Sequence, residues 1–488
     1  KKCIASGDFV IWNFPNAGNP QKVQRWPIEW AAALRAMIAK GPELLLPAHG
    51  LPIAGKERIA RVLDDIATAL EGLVHDVVTM MNAGATLNTI IHTVRVPEAT
   101  LSKPYLRPTY DEPEYVVGDN YLLVPDVLAA LQDLAHHHRQ ELTIPVLAIT
   151  GSNGKTTTKE LVRAVLSRKY KTLATRGNLN NHIGVPLTLL SITDAIEFAV
   201  VEMGANHQQE IAGYCRYAEP DFGLITNVGK AHLEGFGGFE GVKKGKGELY
   251  TFLAATNGLI FINADNPHLQ LMAQERNVHH HFRYGTAPEV ECSGRLISDQ
   301  PFLHIEWSCG TQHGQIRTQM IGAYNFENIL SAVAVGNHFG VSAEDINAAI
   351  ADYTPDNSRS QVLQRGTNTN VLDAYNANPT SMEAALKNFM ALPNGKKIVC
   401  LGDMAELGPE TDAEHERIAK LVAAGDYASV VLVGKNFGKY VSLLPCHHFD
   451  DSAQATAWMK EQSLDAVTML IKGSRSSRME RLLDAFGS

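Results

Sequence analysis

The 488-residue chain has only six cysteines, Cys3, Cys215, Cys292, Cys309, Cys400 and Cys446, and no two of them stand at C-x-x-C spacing. Neither a small zinc site nor a disulfide framework is indicated, and a reducing cytoplasm is the default compartment. The sequence has no apolar run of bilayer length and no signal-peptide pattern, so neither a membrane span nor export is expected. It also lacks an excess of positive charge. Lys and Arg number 43 against 52 Asp and Glu, a formal net charge of −9, which argues against a broad nucleic-acid surface. Tandem repeats and low-complexity tracts are missing. The chain begins at Lys1 rather than Met, as a fragment or a processed protein would. The rest is ordinary: 45% hydrophobic and 19% charged residues fit a soluble globular enzyme, with length for about three domains.

Three or four blocks are visible. Residues 1 to about 115 predict a short strand from Phe9 to Trp12 and then helices. One helix should run from Pro27 to Lys40 and stop at Gly41-Pro42. Another places Ile59, Val62, Leu63, Ile66, Leu70 and Leu73 at helical spacing. Pro104, Pro108 and Pro113 mark a linker-like stretch, and a helix from Asp126 to about His138 leads onward. From Thr143 strands are expected at 144–149, 171–175, 197–202 and 222–226, alternating with helices. This predicts an α/β domain with a mostly parallel sheet, whose ligands gather at the carboxyl ends of its strands. The alternation returns after about residue 355, with strands near 397–401, 430–433 and 468–472.

The chemistry concentrates in TGSNGKTTTKE, which starts at Thr150. An apolar strand precedes it and a helical pattern, Glu160 to Tyr170, follows. Strand, glycine turn and helix form a phosphate cradle: backbone N–H groups of Gly151, Ser152, Asn153, Gly154 and Thr157 and the helix dipole face the anion. Lys155 reaches terminal phosphates and the Thr156 hydroxyl can hold Mg²⁺. The loop is shorter than the full P-loop pattern, since Ile149 occupies the place of its first glycine.

Glu202 closes the apolar strand 198–201, where a carboxylate near a phosphate loop suits Mg²⁺. A solvated acid at a strand end is the plainer alternative. His232 follows another strand, Phe222 to Thr226, and is a candidate second metal ligand, although a lone His is more often structural. Lys246, in KGKGE, has no role that spacing alone assigns. His136-His137-His138, His279-His280-His281 and His447-His448 lack partners at metal spacing and read as surface or core residues.

These strings, with NLNNHIGVP, VEMGANHQQEI, ITNVGKAHLEGFG, GAYNFENILSAVAVG, DAYNANPTSMEAAL, LGDMAELG and KGSRSSRMERLL, resemble the Mur ligase family over about residues 119–488. EMGAN and YNANP make the resemblance one to its MurF type, which joins D-alanyl-D-alanine to UDP-N-acetylmuramoyl-tripeptide. The resemblance implies an ATP-dependent, cytoplasmic peptide ligase of peptidoglycan precursor synthesis. It also implies a P-loop central domain at 143–353 and a Rossmann-like C-terminal domain at 354–488. Residues 116–142 would be a linker and a remnant of the family's N-terminal domain, whose body is not found.

Roles follow by resemblance only. Lys155 and the loop would hold the β- and γ-phosphates, with Thr156 and Glu202 on Mg²⁺ and His232 on a second Mg²⁺. Lys246 matches a lysine carbamylated in the family. Asn325 and Asn328 would lie near adenine, Arg359 on the phosphates and Asp373 on the ribose. Tyr375, Asn376 and Asn378, with Lys472, Ser474 and Arg475, would line the end where D-Ala-D-Ala arrives. Tyr324 stands where many relatives have His, which would alter adenine packing. The third domain is expected to close over the second.

Residues 1 to about 115 resemble something else: the C-terminal part of alkylsulfatase-type metallo-β-lactamase-fold hydrolases, through the strings from Gly7 to Met37 and from Leu44 to Gly55. Asp8 and His49 match two metal-site positions of that fold, but the HxHxDH cluster is missing, so a silent fragment is expected. The chain reads as a junction near 113–120, whether natural fusion, assembly artefact or engineered chimera. The alternatives to a ligase are an ATP- and Mg²⁺-binding remnant without ligation, a metal hydrolase and a folylpolyglutamate-type enzyme. Sequence leaves the third residue of the peptide and the oligomeric state open.

Overall fold

The computed structural model describes residues 2–7, 10, 26–47, 51–86, 89–90, 93–106, 124, 126–300, 302–355, 361–392, 395–462 and 464–486. They form two units, Lys1–Pro125 and Asp126–Ser488.

In the first unit, strands Cys3–Gly7 and Leu44–Pro47 pair in parallel, and Ile53–Ala54 pairs antiparallel with the second. Pro27 opens the helix Pro27–Ala39 at a position whose N–H has no helical partner. Gly41, at φ 61°, follows its end, as the Gly-Pro pair predicts. The longer helix Lys56–Asn82 buries Ile59, Val62, Leu63, Ile66 and Leu70, one stripe at helical spacing, and these cluster with Trp30, Ala31 and Leu34. The strand expected from Phe9 to Trp12 lies, apart from Val10, outside the described residues, as do Asp8 and His49.

The second unit holds two sheets. The larger has nine strands, in the order Gln312–Arg317, His304–Cys309, Cys292–Ser298, His281–Gly285, Leu259–Asn263, Phe222–Ile225, Val146–Thr150, Phe198–Glu202 and Thr172–Ala174. The first three are antiparallel to one another and the remaining pairings are parallel. The expected parallel strands are therefore present, with an antiparallel meander added at one edge. That meander is illegible as an apolar run because its side chains alternate: Ile305, Trp307 and Cys309 are buried while His304, Glu306 and Ser308 face outward or half-outward. Val146–Thr150 is buried along its whole length. The next strand in the chain lies to one side of it and Phe222–Ile225 to the other, so a crevice opens at its carboxyl end.

The smaller sheet runs Gln361–Arg365, Asn368–Asp373, Val467–Lys472, Lys396–Gly402, Ser429–Val433 and His447–Phe449. Only its first pair is antiparallel. The register sets Asp373 beside Lys472 at neighbouring strand ends. Among the described residues no helix is long and apolar enough to cross a membrane.

Candidate active site

The glycine loop is fixed by contacts that only glycine permits. Gly151 has φ 143°, and a Cβ there would lie 2.0 Å from the Thr226 hydroxyl. Gly154 has φ 78°, and a Cβ there would lie 2.5 Å from Asn328 Oδ1. The Ser152 N–H donates to Asn227 O at 3.0 Å and the Asn153 N–H to Asn227 Oδ1 at 3.0 Å. Those two amides are thus engaged within the protein, against the expectation that they face an anion, which leaves the N–H groups of the first turn of the helix Lys155–Leu166 as the loop's candidate donors. Lys155 Nζ donates to Gly151 O at 2.8 Å and Ser152 O at 3.2 Å, folded back over the loop it would leave to reach a phosphate.

Glu202 ends its strand 1% exposed. Its Oε1 accepts from Thr156 Oγ1 at 3.1 Å and from Asn180 Nδ2 at 2.8 Å. Its Oε2 is buried and has no hydrogen-bond partner. A buried carboxylate oxygen without a hydrogen bond, beside a hydroxyl oxygen at the foot of a glycine loop, is a donor set that fits a hard divalent cation.

Lys246 lies on the helix Phe239–Thr256, 1% exposed. Its Nζ donates to Ala205 O at 3.1 Å and sits 5.1 Å from the centre of the Phe236 ring. Burial, and next the charge of Lys155, push its amine well below the usual lysine range, against smaller opposing effects of Glu210 and Glu248. The glycines flanking it are packing requirements: a Cβ at Gly245 would lie 2.4 Å from the Phe236 ring and one at Gly247 2.5 Å from the Arg276 guanidinium.

A cavity of about 640 Å³ joins these groups to the smaller sheet. Asn153, Gly154, Lys155, Thr157, Glu202 and His232 line one side; Asp373, Tyr375, Asn376, Asn378 and Lys472 line the other; Tyr324, Asn325 and Asn328 lie on its wall. Asn328 Oδ1 accepts from Thr158 Oγ1 at 3.1 Å, and Asn328 Nδ2 donates to Asn325 Oδ1 at 2.9 Å. Thr156 and Lys246 lie behind the wall rather than on it. Lys472 is paired with Asp373. The Arg475 guanidinium sits 5.5 Å from the centre of the Tyr375 ring, and Ser474 hydrogen-bonds to Ser476 and Ser477 away from the lining. Arg359 lies outside the described residues.

The seam between the two sheets is polar. Asn378 Nδ2 donates to Asn153 Oδ1 at 2.7 Å, and the Lys230 N–H donates to Thr380 Oγ1 at 3.1 Å. Lys230 Nζ pairs with Glu414 at 2.5 Å, and His232 pairs with Glu406. His232 has the left-handed φ of 53° that turns its ring toward this seam. Sequence reasoning assigned no role to Lys159, Asn180, Lys230, Glu406 or Glu414. Lys159, Asn180, Lys230 and Glu406 stand within the strings named above, but each acts through a partner distant in the chain. Two of the His clusters have partners: His136 pairs with Glu219 at 2.7 Å, and the His447 ring packs tilted on Trp458 with centres 4.2 Å apart, while His279, His280 and His281 are exposed. Among the described residues no group of three or more His, Cys, Asp or Glu is gathered as a metal set.

Comparison with known proteins gives a consistent answer. Residues 149–336 match the Mur ligase middle domain and residues 358–475 the Mur ligase glutamate ligase domain. The chain is 36% identical over 380 residues to the UDP-N-acetylmuramoyl-tripeptide–D-alanyl-D-alanine ligase of Escherichia coli, covering 75% of this chain and 81% of that one. The Bacillus subtilis enzyme of the same name is 34% identical over 377 residues, covering 74% and 80%. Among solved structures, MurF from Acinetobacter baumannii superposes with TM-score 0.69 at 30% identity, over 76% of this chain and 84% of that one. MurF from Thermotoga maritima in complex with ADP superposes with TM-score 0.68 at 25% identity, over 76% and 85%.

Proposed function

The chain belongs to the Mur ligase family, and we infer that it is a ligase of the MurF type that uses ATP to join D-alanyl-D-alanine to UDP-N-acetylmuramoyl-tripeptide. The observation that carries this reading is the buried Glu202, whose Oε2 makes no hydrogen bond, set beside Thr156 at the foot of the glycine loop and facing a second strand-end wall across one cavity.

The chemistry divides between the two sides. The loop helix and Lys155 bind the ATP phosphates and withdraw charge from the γ-phosphoryl group while the tripeptide carboxylate attacks it, the bond to the β–γ bridging oxygen breaks and ADP leaves. The acyl phosphate so formed is then attacked by the amine of D-alanyl-D-alanine. A tetrahedral centre forms at the carbonyl carbon, phosphate leaves, and the amine loses its proton. Tyr375, Asn376, Asn378 and Lys472 would orient the incoming amine donor, with Ser474 and Arg475 behind them; their position on the lining of the same cavity supports this for the first four. Asp373 and Arg359 would serve the nucleotide from the same side, and Asn325 and Asn328 the adenine. Mg²⁺, when bound, supplies neutralisation of phosphate charge, held by Thr156 and Glu202, with His232 toward a second ion. Lys246 is read as a carbamylation site, because its amine is buried and burial pushes it well below the usual lysine range, toward the neutral form that reacts with carbon dioxide. A ligase acting on these precursors would work in the cytoplasm, and the lack, among the described residues, of any helix able to cross a membrane is compatible with that.

For residues 1–115 the strings quoted above support a metallo-hydrolase-like fragment without catalysis of its own. Tightly bound stoichiometric zinc in the purified protein would contradict that reading.

The ligase reading is tested by phosphate release from ATP and Mg²⁺. It should require both peptide substrates together. Nucleotide binding without substrate-dependent release would leave a nucleotide-binding protein and remove the ligase.

A further inference from the structure

Behind Glu202 stands a second buried lysine that the mechanism above does not use. Lys159, in the middle of the helix Lys155–Leu166, has no exposed surface. Its Nζ donates to Thr175 O at 2.6 Å, pairs with Glu160 Oε1 at 2.9 Å, and lies 3.7 Å from Glu202 Oε2. Burial pushes the Glu160 carboxyl up, and its pairs with Lys159 and Arg163 outweigh that and hold it below the usual carboxylate range. Thr175 holds both partners: its carbonyl takes the ammonium, and its hydroxyl accepts the Glu202 backbone N–H at 2.9 Å.

The consequence is an uneven carboxylate. Oε1 is occupied by Thr156 and Asn180, while Oε2 faces an ammonium just beyond hydrogen-bond reach. That oxygen keeps its lone pairs for a cation, yet a fixed positive charge stands behind it in a region water does not screen. Mg²⁺ gives up its waters reluctantly. A single carboxylate already half-neutralised by Lys159 offers it little. The triphosphate adds the negative charge that reverses this balance.

We propose that Lys159 is a positioning residue that aims Glu202 and makes divalent-cation binding there conditional on bound nucleotide. The metal then enters with ATP and does not occupy the empty site. This inference rests on the reading of Glu202 as the metal carboxylate. Loss of the ammonium should have effects of opposite sign: tighter metal binding in the empty protein, and slower turnover because Glu202 loses its aim. A merely structural role for Lys159 would weaken both.

The test is Mn²⁺ binding to the full chain, followed by electron paramagnetic resonance with and without ADP. Wild-type protein should bind Mn²⁺ weakly alone and at least about a hundredfold more tightly with ADP, as charge addition at short range predicts. Lys159→Met should bind Mn²⁺ at least about tenfold more tightly than wild type without nucleotide, with reduced kcat, and Lys159→Arg should restore the wild-type pattern. Nucleotide-free Lys159→Met binding no tighter than wild type overturns the proposal. So does wild-type binding that is equally tight with and without ADP, a result that does not depend on how any variant folds. Glu202→Gln separates the two readings. If it leaves Mn²⁺ binding in the ADP complex unchanged, the metal-carboxylate reading fails. If it abolishes that binding while Lys159→Met changes nothing, only the Lys159 inference fails.

Discussion

The two sides of the cavity are built on opposite principles. On the larger sheet the charged groups are buried: Lys159, Glu202 and Lys246 are each 1% exposed or less, and each is fixed by backbone carbonyls or neighbouring side chains. At the seam with the smaller sheet the pairs are wetter. Lys230 is 44% exposed, its farther partner Glu410 42% and Glu406, which pairs with His232, 52%, although the nearer partner of Lys230, Glu414, is only 5% exposed. Buried charges that lose a partner are costly, whereas exposed pairs contribute about 0–1 kcal/mol each. The first side is therefore a preformed platform, and the second is a wall whose contacts can be made and broken. Phosphate chemistry that must exclude water, yet admit two large substrates, needs that combination.

The comparison is broken most severely by Lys155→Ala. On the platform no other side chain replaces its charge at the loop, so kcat/KM should fall by roughly 10³-fold, about 4 kcal/mol. Substrate-dependent phosphate release measures this, and activity within tenfold of wild type would remove the loop from the mechanism.

Lys246→Met comes next. Turnover should drop by roughly 10²-fold if the lysine serves the site as a carbamate, and short carboxylic acids should partly rescue Lys246→Ala. Stability should move the other way. The folded amine titrates well below the unfolded value of 10.5, so between those values the unfolded chain binds the extra proton. Stability of the unmodified protein therefore rises with pH across that window. Replacing the amine by an apolar chain should raise the melting temperature at neutral pH, and the gain should shrink toward pH 10.5. A melting temperature that falls would show that the amine is not held at a cost.

A smaller effect is expected at the wall. Asn378→Ala removes the contact to Asn153 and a helix cap that includes Ser381. The cap alone is worth about 1 kcal/mol, and a rise in KM for D-alanyl-D-alanine of about tenfold should accompany it. An unchanged KM would detach Asn378 from the amine-donor end.

The smallest is a response to acid. The hydrogen bond from His232 holds the Glu406 carboxyl below its ordinary value of 4.5. Burial pushes Glu414 up, and its bonds from Lys230 and Arg417 outweigh that and also leave it low. Both pairs thus contribute above pH 4.5 and are lost as pH falls through the folded values. Distances between dyes on the two sides should lengthen below that pH before the protein unfolds. Constant distances down to global unfolding would show that these pairs do not hold the wall.

Much of the platform was legible in the sequence and little of the wall was. Val146–Thr150 and Phe198–Glu202 are fully buried parallel strands, so they read as apolar runs, and the functional groups follow directly at their ends. Lys159 stayed hidden because it neighbours Glu160 on a helix, where a Lys-Glu pair reads as solvated. Only the packing of Thr175 and Glu202 against it shows otherwise. At the wall, Gln361–Arg365 and Asn368–Asp373 carry Gln, Asn and Thr rather than an apolar run, so the hairpin that delivers Asp373 gave no signal. The seam partners of Lys230 and His232 lie more than 170 residues away in the chain, a separation that no local pattern reports.

The most direct measurement of the central claim is phosphate release from ATP and Mg²⁺ with UDP-N-acetylmuramoyl-tripeptide and D-alanyl-D-alanine, added singly and together. The account predicts release only when both are present, with one phosphate formed for each peptide bond. Release that is independent of the peptide substrates, or ADP binding with no release under any combination, would contradict it.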